Sequence, residues 1–334
     1  MNKVSAYGKL LRIPGLGALA TPTVIGALSV GVFDLPSLVI LFFIGGFAAV
    51  YGFLLNDYAD VELDSLVPEL QQKPLVSGEI SRKTAVAISV FLIMLTFLFI
   101  FILWRGTELT DTKFWGMFSI FLAGILGSIY NLYGKKIVGS DFLVAISMGL
   151  VFLFGAMSVG VPTVITWIIF WLTFNQTLHM NAVEGGIKDI DHDYKMGVTN
   201  IASKAGVYVR GNALVIPGGF KAFSIVIRLI SAVLLFTPFF VFGYSFEIWQ
   251  LVLLGIFTFL VLFFSMRLIL LKQWDRNKIR RFIGLQSFMR YSLVPIMLIS
   301  IIGVVPSIIL IVLPIGWYIV FTPLFGETLF KPRM

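Results

Sequence analysis

Apolar residues along this chain come in long unbroken runs, separated by short stretches that hold nearly all of the charge. A helix needs about 20 apolar residues to cross roughly 30 Å of hydrocarbon. Runs of that kind fall at 13–33, 38–55, 85–104, 114–132, 142–159, 163–180, 222–242 and 249–271. A last run, 291–324, is too long for one crossing at about 1.5 Å per residue. Val305-Pro306 interrupts it, so it reads as one kinked span or two short ones. The pattern predicts an all-α fold: a polytopic transmembrane bundle of nine helices, or ten if the last run divides. Cytoplasmic loops would cap a central cavity. Pro14 and Pro22 break the first run and no cleavage site follows it, so it is not a removable signal peptide.

Positive charge orients the bundle. Lys3, Lys9 and Arg12 precede the first run, Lys73, Arg82 and Lys83 follow the second, and Lys135 and Lys136 follow the fourth. Lys188, Lys195, Lys204, Arg210 and Lys221 follow the sixth, and a basic segment from Arg267 to Arg290 lies at and beyond the end of the eighth. The opposite loops carry only Arg105 and Lys113. That asymmetry places the N-terminus and the long loops in the cytoplasm. Lys331 and Arg333 favour a cytoplasmic C-terminus and hence ten crossings.

The acids obey a different rule. Of 17 Asp and Glu, Asp57, Asp60, Glu62 and Asp64 fall in one short window, and Glu184, Asp189, Asp191 and Asp193 in another. Both windows follow an even-numbered run and sit four helices apart, as a duplicated unit over roughly 13–136 and 141–290 of a single 1–334 domain would place them.

Composition and charge narrow the class. Three hundred and thirty-four residues would ordinarily suggest two soluble domains, but 58% are hydrophobic and only 13% charged, and mean hydropathy is +0.98. No soluble fold of this size hides so much apolar surface. The net charge of +8 belongs to the loops of a cell-membrane protein and does not call for nucleic acid. The absence of Cys excludes disulfides, thiolate metal sites and a cysteine nucleophile.

The windows carry the candidate chemistry. If the second run continues as a helix, Asp57, Asp60 and Asp64 fall at i, i+3 and i+7 on one face, with Asn56 beside Asp60. Like charges so close repel, and a hard divalent cation resolves the repulsion: Mg²⁺ takes oxygen ligands from carboxylates, water and substrate phosphate. Asp189 and Asp193 are again i and i+4, whereas Asp191 would point about 200° away on a helix. Two carboxylate faces on one membrane side can bracket Mg²⁺ and a diphosphate. The alternative is a pair of solvated acidic loops.

Asn56-Asp57-x-x-Asp60-x-x-x-Asp64, followed by Lys73-Pro74-Leu75-Val76-Ser77-Gly78, resembles the first signature of the UbiA superfamily of intramembrane prenyltransferases. Asp189-x-x-x-Asp193, followed by Gly197 and Thr199-Asn200-Ile201-Ala202, resembles the second. The resemblance runs from about Arg12 to Leu271. It departs in two places: Lys73 stands where the family usually has Arg, and the last apolar run is longer than the family's ninth helix.

The resemblance implies Mg²⁺-dependent transfer of a polyprenyl group from a diphosphate, such as geranylgeranyl diphosphate, to an acceptor. That acceptor is an aromatic acid, a quinone precursor or a glycerol-phosphate lipid. Asp57, Asp60, Asp64, Asp189 and Asp193 would hold metal, and Asn56 would complete the oxygen shell or orient Asp60. Lys73 occupies the family's basic position, Lys135 and Lys136 lie with Tyr130 in a segment like the family's Tyr-and-Lys stretch, and Arg12 resembles its N-terminal Arg. Together with Lys188 and Lys195 these supply cations for the departing diphosphate, and each also reads as a basic residue snorkelling at the interface. A related cyclase would keep the same aspartates. An ion-coupled transporter would want acids near the bilayer midplane, where the runs have none. Arg228 reads as snorkelling, His179 as a polar packing group, His192 as solvated, and 272–290 as an interfacial helix over anionic lipid.

Overall fold

The computed structural model describes residues 3–68 and 70–325, apart from the side chains of Lys3, Tyr194 and Lys195. Lys331 and Arg333, on which a tenth crossing rested, lie outside the described residues. Among the described residues six helices are long and apolar enough to span a membrane: Leu35–Ser65, Arg82–Trp104, Asp111–Lys136, Gly218–Phe240, Ile248–Ile269 and Val304–Leu324. A bent pair, Val4–Leu10 with Ile13–Ser29 at 49°, raises this to seven. The fifth and sixth apolar runs are helical but short, Asp141–Met157 and Val164–Leu178. The polytopic helical class holds, while nine full-length spans are not all present among the described residues.

The chain forms two compact units. The first comprises Met1–Leu132, Leu150–Thr166 and Val312–Met334. Its N-terminal helix ends where Arg12 takes the left-handed conformation, φ 48°, and Pro14 then opens a short 3₁₀ turn. Asp34 caps the next long helix by accepting the Ser37 N–H at 3.0 Å. That helix, Leu35–Ser65, has 31 residues. At about 1.5 Å per residue it is roughly 46 Å long, longer than the hydrocarbon core of about 30 Å. Its last turns, with the first acidic window, therefore project beyond the apolar layer. Val50 and Leu54 pack with Leu10, Leu75, Ile80, Ala85 and Leu92, and Leu41 and Ile44 with Ile100, Ile120, Ala123, Val151 and Phe154. Phe152 and Phe154 are buried, whereas Phe97 and Phe121 face outward.

One backbone approach in this unit depends on glycine. A Cβ at Gly155 would lie 2.1 Å from the Thr23 carbonyl oxygen, and one at Gly26 2.4 Å from the Phe152 carbonyl oxygen. Gly155→Ala is expected to force these helices apart and to cost about 1–3 kcal/mol, the usual range for overpacking. Gly124→Ala, where a Cβ meets nothing within 4 Å, should leave the thermal midpoint in detergent unchanged or higher. Equal melting of the two variants would contradict the close approach.

The second unit comprises Tyr133–Gly149 and Trp167–Ile311. Val164–Leu178 runs into a π-helical turn, His179–Gly185, then into Gly186–Lys188, a bend at Asp189 and a short helix, Ile190–Lys195. A two-stranded ribbon, Tyr208–Arg210 with Ala213–Val215, pairs Val209 with Leu214. Leu214 joins Val183, Ile187, Ile190, Phe220, Leu268 and Ile279 in the local core.

Two expectations are corrected here. The 272–290 segment is not an interfacial helix: Asp275 caps a helix, Arg276–Met297, that packs along Ile248–Ile269 and buries Ile279, Gln286, Arg290 and Leu293. Gln286 and Arg290 point into the protein while Lys272, Lys278 and Arg281 stay exposed, a division that a hydropathy scan cannot see. The break in the last run falls at Gly303, φ 87°, rather than at Val305-Pro306. Pro306 sits in the first turn of Val304–Leu324, where a helix needs no N–H donor.

Candidate active site

The first window is helical, and its periodicity works as the spacing predicts. Asp57, Asp60 and Asp64 are all buried, at 5%, 8% and 6% exposure, while Glu62 between them faces outward. Two cations from elsewhere in the same unit meet this face. Arg12 donates from Nη2 to Asp57 Oδ1 at 3.0 Å, and Lys73 Nζ reaches the same oxygen at 2.9 Å and Asp64 Oδ2 at 2.7 Å. The Arg12 guanidinium also lies 4.4 Å from the centre of the Phe53 ring, which covers it. Burial alone would pull the Lys73 ammonium down, but the Asp57 and Asp64 carboxylates outweigh it and hold the group above the usual lysine value. Lys73 is thus charged throughout the neutral range.

The chain reaches this geometry by local means. The left-handed turn at Arg12 redirects the backbone before the first span. Leu75 and Ile80 bury in the core beside Leu54 and fasten the loop that carries Lys73. Asn56 is half-buried on the same helix, and Tyr130 is half-buried near the end of Asp111–Tyr133. That helix end is braced against Leu35–Ser65: Tyr51 Oη lies 2.8 Å from Ser128 Oγ, and Asn131 donates to the Gly52 carbonyl at 3.0 Å.

In the second window Asp189 closes one short helix and opens the next, its carbonyl accepting the Asp193 N–H at 3.0 Å. The i to i+4 relation therefore survives the bend. Asp193 Oδ2 accepts from Asn200 Nδ2 at 2.6 Å, and Asn200 in turn caps Ile201–Lys204. The neighbouring Thr199 N–H donates to the Lys135 carbonyl at 2.9 Å, which brings the Lys135 turn up to this window. Lys135 is half-buried and Lys136 exposed. Lys188 lies 3.4 Å from Asp189, and the side chain of Lys195 falls outside the described residues. Asp191 turns to Arg276, which donates to it at 2.7 Å and also meets His192. His192 is thus held by Arg276 rather than simply solvated.

Sequence pattern alone does not mark Asn200 and Arg276 as neighbours of these aspartates. Asn200 stands inside the second signature, and its cap position was a usable signal. Arg276 lay unmarked among several basic neighbours. Asp191→Asn is expected to lower kcat/KM much less than Asp189→Asn, because Asp191 is already occupied by Arg276. Equal losses for the two variants would contradict this.

Glu184, grouped by sequence with the second window, is not part of it. It is buried at 1%, with Arg228 donating at 2.8 Å and Arg290 also paired to the same oxygen. Arg228 is accordingly no snorkelling residue. His179 is fully buried in the same group, as a packing role requires. Among the described residues no group of three or more acidic or histidine side chains is set to hold a metal ion.

Apolar helices of spanning length, with a buried acid–base cluster at the end of one of them, define an integral membrane protein built of helices. Residues 19–294 match the UbiA prenyltransferase family, and the chain belongs to it. A 4-hydroxybenzoate octaprenyltransferase of Pseudoalteromonas translucida is 27% identical over 159 residues, 48% of this chain and 51% of that protein. The chain thus spans about half the length of that relative. The protein of the same name from Shewanella sp. (strain W3-18-1) is 29% identical over 222 residues, 63% of this chain and 72% of its own. Two solved structures share the fold. One concerns digeranylgeranylglyceryl phosphate synthase, with TM-score 0.64 and 20% identity over 91% of this chain and 100% of that one. The other is a UbiA homolog from Archaeoglobus fulgidus bound to GPP and Mg²⁺, with TM-score 0.59 and 18% identity over 90% of this chain and 100% of that one.

Proposed function

We propose that this protein transfers a polyprenyl group from its diphosphate to an aromatic acid of the 4-hydroxybenzoate type, with Mg²⁺ bound at the acidic windows. The observation that carries the reading is the first window: three buried carboxylates on one helix face, met by Arg12 and Lys73. The donor set fits a hard cation. It is all oxygen, from Asp57, Asp60 and Asp64, with Asp189 and Asp193 in the second window, and Mg²⁺ takes one or two carboxylates while keeping waters and substrate phosphates. Fewer than three protein ligands per ion therefore suffice.

Bound Mg²⁺ would offset the charge that gathers on the departing diphosphate. The chain's own residues do the rest. The allylic C–O bond breaks, its electron pair leaves on the diphosphate, the acceptor ring forms the new C–C bond, and the ring proton is lost. Arg12 and Lys73 lie where added negative charge is stabilised, and a donor fixed in advance costs no reorganisation during the reaction. In the second unit Lys135 and Lys188 lie beside the second window and add positive charge there, with Lys136 and Lys195 next to them in the chain. Tyr130 and Asn56 orient substrate and metal-binding groups. The N-terminus and these loops face the cytoplasm, following their positive charge.

Aromatic acceptors are favoured because the named sequence relatives use 4-hydroxybenzoate, whereas the lipid-synthase likeness extends to the fold. Purified protein with Mg²⁺ and radiolabelled geranylgeranyl diphosphate should label 4-hydroxybenzoate. Label in a glycerol-phosphate lipid alone would reassign the acceptor. No transfer to any acceptor, with diphosphate still released, would favour a cyclase instead.

A further inference from the structure

The cluster around Glu184 takes no part in the proposed chemistry, yet it is the most densely bonded polar group in the second unit. Glu184 Oε1 lies 3.1 Å from His179 Nδ1 and accepts from Arg228 Nη2 and Arg290 Nη1. Arg228 also donates to Gln176 at 3.0 Å, Ser265 at 3.0 Å and Gln286 at 3.2 Å, and His179 Nε2 lies 2.9 Å from Ser224 Oγ. His179, Glu184, Arg228 and Gln286 are at most 4% exposed and Arg290 is 8% exposed. The partners come from Val164–Leu178 and its π-turn, Gly218–Phe240, Ile248–Ile269 and Arg276–Met297.

The spacing of His179 and Glu184 is the informative feature. In an α-helix residues i and i+5 point about 140° apart and do not meet. Here they touch because His179–Gly185 is a π-turn, in which the Gly186 N–H bonds back to the Asn181 carbonyl. A π-turn inserts one residue into the helical count and so rotates everything after it by about 100°. Everything after it includes Asp189 and Asp193.

We infer that the buried His179–Glu184–Arg228–Arg290 cluster is a register device: it holds the π-turn, and the π-turn sets the direction in which the second acidic window faces. Glu184 is a positioning residue. Its two guanidinium partners stand on other helices and clamp the one carboxylate that marks the inserted residue. Without that clamp the turn relaxes toward α-helical hydrogen bonding, and the aspartates rotate away while the helix itself persists. The rotation claim needs no assumption about catalysis; its effect on turnover rests on the proposed role of Asp189 and Asp193.

The chain has no Cys, so a single introduced thiol reports the rotation cleanly. Ile190, 0% exposed, is the reporter as Ile190→Cys. With Glu184 intact this thiol should resist a water-soluble maleimide. Glu184→Asp keeps the charge but withdraws the carboxylate from both arginines; it should lower the melting midpoint and expose the thiol to rapid labelling in the protein that remains folded. Glu184→Gln combined with Arg290→Gln keeps the net charge and should do the same if the first variant fails to fold. In either background the Mg²⁺ concentration for half-maximal turnover should rise about 10–100-fold, the usual effect of losing a group that orients a metal ligand, with a smaller change in kcat. Unchanged thiol protection in a folded variant overturns the inference, as does ready labelling with Glu184 intact. If the intact protein shows no Mg²⁺-dependent turnover while the labelling contrast appears, the proposed function fails and the register device stands.

Discussion

Asp60→Ala is expected to abolish prenyl transfer while leaving the protein folded. Asp60 is buried between Asp57 and Asp64 on one helix face. The variant should still melt as a folded protein in EDTA. Single-turnover rate should fall by at least about 10²–10³, the scale for losing one well-aimed electrostatic group. Loss of rate in a protein that keeps its fold is the mark of a residue kept for function. A folded Asp60→Ala protein with rate within about threefold of the parent, well under the tenfold that 1.4 kcal/mol represents, would remove the first window from the metal site.

The second large effect is expected at Lys73. Its ammonium bridges Asp57 and Asp64 at 2.9 and 2.7 Å. Lys73→Met leaves Asp57 with Arg12 and takes the bridging ammonium away from Asp64. The variant should melt earlier, because one side of a mostly buried ion pair is then unmatched. Its rate should fall by about 10²–10³, more than it loses in binding a non-cleavable diphosphate analogue, since Lys73 acts most when the leaving charge peaks. Lys73→Arg should recover much of both losses by restoring the charge. If Lys73 served only to orient the chain in the membrane, one substitution would change little, because the bias is spread over many cytoplasmic basic residues. Lys136→Met, at an exposed position, should have a smaller effect than Lys73→Met.

What was legible in the sequence followed from period and charge. The spacing of Asp57, Asp60 and Asp64 placed them on one face because Leu35–Ser65 is helical through its last residue. Lys73 and Arg12 were found through the resemblance, but their meeting at a single oxygen, across 45 and 16 residues of chain, is a tertiary event that no local pattern reports. Glu184 was misplaced for a definite reason. It lies five residues before Asp189, and reading it with the acids that follow assumes one exposed acidic stretch, whereas the π-turn and two distant arginines draw it inward. Arg228 failed with it: a charge near a span end reads as snorkelling until its partners are known. The stop at Gly303 has a local cause, since glycine takes φ 87° without strain, whereas Pro306 fits the first turn of the helix that follows.

The measurement that tests the central claim most directly is metal-dependent transfer of label from radiolabelled geranylgeranyl diphosphate to 4-hydroxybenzoate, in detergent-solubilised protein, as Mg²⁺ is titrated from excess EDTA. The account predicts no prenylated product in EDTA, recovery on adding Mg²⁺, and no recovery at any Mg²⁺ concentration for Asp60→Ala. Full transfer in EDTA would contradict it, because the clustered carboxylates would then be doing something other than holding a metal.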